Sequence, residues 1–135
     1  MTIGLLLITH SRIGEAILET AGKMLEGDPL AVEILPVGMD SNPEQLLAEA
    51  NELISRLDQG HGVLVFTDMY GSTPSNIAYS LAKKGRVNVV SGINLPMLIR
   101  TLNYQTLDLD ALTEKALSGG KDGIICCETL SKQTS

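Results

Sequence analysis

The stretch Ile3-Gly4-Leu5-Leu6-Leu7-Ile8-Thr9-His10-Ser11 decides the fold. Its apolar run carries no charge, a pattern expected of a strand whose sheet is covered by helices on both faces. The run ends in Thr9-His10-Ser11-Arg12. Behind it Ile13, Ala16, Ile17, Ala21, Met24 and Leu25 recur at helical spacing until Gly27-Asp28-Pro29 stops them. A covered strand feeding an amphipathic helix is the opening unit of a parallel α/β sheet.

The unit then repeats. Residues 31–37 read as a second strand. Ser41 and Glu44 have the spacing of a capping box, ahead of a helix with Leu46, Leu47, Ala50, Leu53, Ile54 and Leu57 on one side. Val63-Leu64-Val65-Phe66-Thr67 is a third strand. Thr73 is read as the cap of the next helix, with Pro74 in its first turn and Lys83-Lys84-Gly85 at its end. Val87-Asn88-Val89-Val90 is a fourth strand. A short helix follows through about residue 103. Asp108 caps a last helix that Gly119-Gly120 is expected to end. Residues 123–127 read as a short fifth strand, with Cys126 and Cys127 as two small apolar residues inside it. The alternation predicts one α/β domain over residues 1–127. Its architecture is a three-layer open sheet, mostly parallel, in the order 2-1-3-4, with helices on both faces and a polar tail at 128–135.

Composition narrows the function. Aromatics make up only 3% of the 135 residues, so the core is aliphatic. The net charge is −6, and the ten basic residues form no cluster, which argues against a nucleic-acid partner. No apolar run approaches the roughly 18 residues that span a bilayer. The opening run lacks a basic leader and a cleavage site, so the chain is expected to be cytoplasmic, with no direct membrane insertion. Adjacent cysteines match neither a redox motif nor a metal spacing, and with two histidines in all no metal site is expected. No Walker A, dinucleotide fingerprint or nucleophile elbow is present.

Ligands of open parallel sheets bind at the carboxyl ends of the strands. Four loops lie there: 9–12, 38–41, 67–74 and 91–96. His10 stands at the first strand-to-helix turn, where imidazole can act as a nucleophile and helix-start amides can hold a phosphate. If strands one and three are neighbours, Asp68 reaches one ring nitrogen of His10, fixes its tautomer and frees the other nitrogen to attack. Gly71, Ser72 and Thr73 offer amides and hydroxyls that suit either an anion seat or a helix cap. Ser11 belongs to the same candidate seat. Arg12 is a candidate supporting cation, and Asn94, a turn or cap residue, is a second candidate for support.

These residues resemble the IIA component of mannose-type sugar phosphotransferase systems. The strand ending in Thr9-His10-Ser11 carries the likeness. So do Asp68-Met69-Tyr70-Gly71-Ser72-Thr73-Pro74-Ser75-Asn76, similar to the family's Asp-x-x-Gly-Gly-Ser-Pro-x-Asn, and Gly92-Ile93-Asn94-Leu95-Pro96-Met97-Leu98, similar to its Gly-Val-Asn-Leu-Pro-Met-Leu. The order of elements up to about Cys127 agrees as well. The resemblance implies that His10 is phosphorylated, that Asp68 is its hydrogen-bond partner, and that the Thr73 hydroxyl lies by the phosphoryl group. It also implies an HPr-type donor, charged from phosphoenolpyruvate by enzyme I, and no cofactor. It further implies a homodimer whose last strand, residues 123–127, runs antiparallel and crosses to the partner.

Ser72 departs from the family, which has glycine there; it would strain the turn if that position needs a positive φ. No IIB domain follows, so the acceptor is expected to be a separate IIB-type protein, which makes the chain a protein-histidine phosphotransferase. Three other readings share the fold. They are a phosphoryl donor to a dihydroxyacetone kinase, a regulator read through its phosphorylation state, and a non-catalytic anion- or nucleotide-binding module.

Overall fold

The computed structural model of the chain describes residues 1–29, 31–83 and 85–128. The elements are β1 (Gly4–His10), α1 (Ile13–Met24), β2 (Val32–Val37), α2 (Pro43–Leu57), β3 (Val63–Thr67), α3 (Thr73–Ala82), β4 (Val87–Ser91), α4 (Leu95–Asn103) and α5 (Leu109–Asp122). All four strands are parallel, in the order β2-β1-β3-β4, as the alternation predicts. Ile8 pairs with Thr67, so the ends of β1 and β3 lie side by side.

Strand alternation splits the core into two halves. Leu6 and Ile8 face one way, with Val63 and Val65, against Leu46, Ala50, Leu53 and Leu57 of α2 and Ile77, Ala78 and Leu81 of α3. Leu5 and Leu7 face the other way, with Leu64 and Phe66, against Ala21 of α1, Met97 and Leu98 of α4, and Leu112 and Ala116 of α5. Both faces of β1 are therefore covered, which is why its sequence is apolar throughout.

Several local expectations are corrected. Asn42, not Ser41, caps α2: its Oδ1 accepts from the amides of Glu44 and Gln45, and Pro43 fills the first helical position. The Ser41 hydroxyl instead accepts from the Gly38 amide. The N-cap of α3 is Ser72, and Thr73 is already the first helical residue. On α1 the buried face runs through Gly14, Ile17, Leu18 and Ala21, while Ile13 and Met24 are exposed. Asn94 and Asp108 do cap α4 and α5, accepting from the amides of Met97 and Ala111. Lys84 and the tail beyond Glu128 lie outside the described residues.

Gly119 and Gly120 do not end α5. They are buried inside it, where it crosses α4. A Cβ on Gly119 would stand 2.9 Å from Arg100 Cβ, and one on Gly120 would stand 2.6 Å from Met97 Cε. The two glycines thus serve close helix approach rather than termination. Gly119→Val is expected to lower stability by about 2 kcal/mol through overpacking, although removing a helix-interior glycine alone would favour the helix by up to ~1 kcal/mol. A urea midpoint above that of the wild type would refute the close approach.

Because α5 continues to Asp122, the fifth strand expected over 123–127 does not form. Residues 124–126 have no regular structure, and Cys127 and Glu128 are helical. An extended segment is stable only beside another strand, and the fold brings this one to neither edge of the four-stranded sheet. Cys126 and Cys127 are accordingly exposed rather than buried in a strand.

Candidate functional site

His10 ends β1 and Asp68 directly follows β3. Because those strands are adjacent, the two side chains meet although 58 residues separate them. His10 Nδ1 lies 2.9 Å from Asp68 Oδ2, and the same oxygen accepts the His10 backbone N–H at 3.1 Å. The imidazole is 40% exposed, while the carboxylate is only 11% exposed.

Burial alone would push the Asp68 carboxyl up. The hydrogen bonds from the His10 ring, the His10 amide and Asp68's own amide, together with attraction to the imidazole, outweigh it and hold the carboxyl below its ordinary value. Asp68 is therefore an anion at neutral pH. An anionic acceptor at Nδ1 keeps the proton on that nitrogen, so Nε2 carries the free lone pair of the neutral ring. Asp68 Oδ1 is buried and has no hydrogen-bond partner among the described residues.

A cleft of about 310 Å³ opens beside the ring, lined by His10, Ser11, Gly38, Met39, Ser41 and Thr73 among others. The structure thus brings His10, Asp68, Ser11 and Thr73 together. It does not bring the remaining candidates to the cleft wall. Ser72 turns its hydroxyl back to donate to the Met69 carbonyl at 2.6 Å. Its φ of −97° is ordinary extended backbone, so the strain expected from replacing glycine does not arise. The left-handed position of this loop is Gly71, at φ 83°, where glycine is suited. Arg12 reaches into solvent and pairs with Glu15 through two contacts of 3.2 Å. Asn94 is committed to capping α4 and to donating to the Gly120 carbonyl.

Sequence reasoning places the 38–41 loop at the ligand end of the sheet but assigns none of its residues to the site. β2 is the other neighbour of β1, and this loop supplies Gly38, Met39 and Ser41 to the cleft. Met39, Met69 and Tyr70, on the loops after β2 and β3, and Ile13, the first residue of α1, are also exposed. Among the described residues no cluster of three metal-ligating side chains forms, and no helix is long and apolar enough to cross a membrane.

Residues 4–117 match the family described as the PTS system fructose IIA component. The chain is 33% identical over 127 residues to the PTS system mannose-specific EIIAB component of Escherichia coli K12, an alignment covering 92% of this chain and 39% of that protein. It is 26% identical over 133 residues to the PTS system fructose-specific EIIA component of Bacillus subtilis 168, covering 96% of this chain and 90% of that one. Among solved structures, a phosphotransferase system component EIIA from Streptococcus agalactiae superposes with a TM-score of 0.85 at 22% identity, covering 94% of this chain and 98% of that one. That likeness speaks to the fold.

Proposed function

This chain belongs to the mannose-type family of phosphotransferase-system IIA components, and on that premise we propose that it is a phosphocarrier of sugar uptake that holds its phosphoryl group on His10. The observation that carries the reading is the contact of 2.9 Å between His10 Nδ1 and Asp68. It leaves Nε2 as the nucleophile of a ring already locked in orientation.

The donor is a phosphohistidine of an HPr-type protein. The Nε2 lone pair of His10 attacks its phosphorus in line. The new N–P bond forms as the donor's N–P bond breaks, and the donor imidazole keeps the electron pair. The proton on Nδ1 stays in its hydrogen bond to Asp68, which offsets the positive charge that grows on the ring. The Thr73 and Ser11 hydroxyls, on the cleft wall, hydrogen-bond the phosphoryl oxygens. The second transfer reverses these roles toward a IIB-type acceptor, and both steps take place in the cytoplasm. The apolar rim of Ile13, Met39, Met69 and Tyr70 supports protein partners at this site, since exposed methionine and tyrosine are common at protein interfaces.

Incubation with phosphoenolpyruvate, enzyme I and HPr is expected to add one acid-labile phosphoryl group, read by intact-protein mass. No added mass with a matched donor would favour an anion-binding module on the same fold. Ile124 and Ile125, both exposed, support a further reading in which a second copy covers residues 123–127 as a homodimer. Light scattering is expected to give twice the mass of the chain, and a monomer at micromolar concentration would count against it.

A further inference from the structure

We propose that Thr9 is a positioning residue of the transfer site, its buried hydroxyl fixing the turn that carries His10. The inference rests on the phosphocarrier reading above. Thr9 is fully buried at the end of β1, on the same face as Leu5 and Leu7, where a valine would fill the core equally well. Its hydroxyl has a definite use: Oγ1 accepts the Gly14 amide at 2.8 Å.

Gly14 lies in the first turn of α1, whose helix-start amides need acceptors. The N-cap residue, Arg12, accepts none of them with its side chain. The strand supplies an acceptor instead, from five residues upstream, and the bond spans His10, Ser11, Arg12 and Ile13. The approach is close because residue 14 is glycine. A Cβ there would stand 2.9 Å from Thr9 Oγ1 and 3.4 Å from Ile34 Cγ2.

Two other bonds hold the same turn: the His10 amide to Asp68, and the Ser11 amide to the Val37 carbonyl at 2.9 Å. Ser11 sits at φ 47°, a conformation unfavourable for a residue with a Cβ, which persists only where the surroundings impose it. Releasing the tie at Thr9 lets the turn relax. That shifts the imidazole against its carboxylate and against the line of phosphoryl transfer.

The test compares Thr9→Val, Thr9→Ser and the wild type in single-turnover transfer from phospho-HPr. Thermal midpoints and His10 ring-nitrogen chemical shifts are recorded alongside. Thr9→Val is expected to transfer roughly 10- to 100-fold more slowly at saturating donor, as small misplacements do in positioned reactions. The donor concentration for half-saturation should stay unchanged, the ring nitrogens should report a mixed tautomer, and Thr9→Ser should restore both rate and tautomer. A role confined to helix capping predicts a lower midpoint with wild-type transfer and wild-type shifts, and that result overturns the inference. If Thr9→Val does not fold, Gly14→Ala, which keeps the hydroxyl but crowds it, is expected to slow transfer in the same way; a wild-type rate there overturns it. A wild type that takes up no phosphoryl group sinks the phosphocarrier reading instead. The ring-nitrogen shifts then decide the role of Thr9 on their own, and shifts identical to those of the wild type overturn it.

Discussion

His10→Ala is expected to take up no phosphoryl group under conditions that fully charge the wild type. The chain holds only two histidines. The other, His61, is exposed ahead of β3, at the opposite end of the strands from the site. The loss should be complete because no neighbouring nucleophile shares the orienting carboxylate. Folding should survive, since the ring is partly in solvent and its backbone amide keeps its bond to Asp68. The cost is expected to be about 1 kcal/mol, that of one ordinary hydrogen bond. Intact-protein mass and a thermal scan on the same sample check both halves. A phosphoryl group still present on His10→Ala would put the acceptor elsewhere in the chain.

The second large effect is expected at Asp68→Asn. The neutral amide can still face the ring, but it presents an N–H as readily as an oxygen. The ring is then free to place its proton on Nε2, the nitrogen that must attack. The positive charge that develops on the ring also loses its counter-ion. Removing an orienting carboxylate of this kind costs roughly 10²- to 10⁴-fold in rate. Single-turnover transfer from phospho-HPr measures the loss, and an unchanged rate would remove Asp68 from the mechanism.

Much of this architecture is written locally. Val63–Thr67 reads as a strand because five apolar or β-branched residues stand between glycine and aspartate. Asn94 and Asp108 read as caps because a short polar side chain precedes each apolar run. His10 and Asp68 were legible as a pair once the strand order put β1 beside β3. What escaped is set by tertiary contact. Gly119 and Gly120 look like a stop until α4 is packed against them. Ser41 matches a capping box, yet Pro43 fixes the helix start one residue later and gives the cap to Asn42. The rotation of α1, which exposes Ile13 and buries Gly14, depends on a hydrogen bond from the preceding strand. Met39 and Ser41 become part of the cleft only through the pairing of β2 with β1. The strand expected at residues 123–127 is absent from the single chain for the same reason: its sequence is suitable, but the segment reaches neither edge of its own sheet.

The register that sets Ile8 beside Thr67 has a bearing on the order of events during synthesis. The histidine is made early, but its carboxylate is made 58 residues later and arrives only when β3 inserts between β1 and the future β4. A nascent chain holding only β1, α1 and β2 has His10 without the carboxylate that bonds its ring. Such non-local pairings form late, after the entropy of closing the intervening loop has been overcome. The contact between His10 and Asp68 therefore appears only once β3 has paired with β1, and a chain stalled before that point leaves the imidazole without its carboxylate.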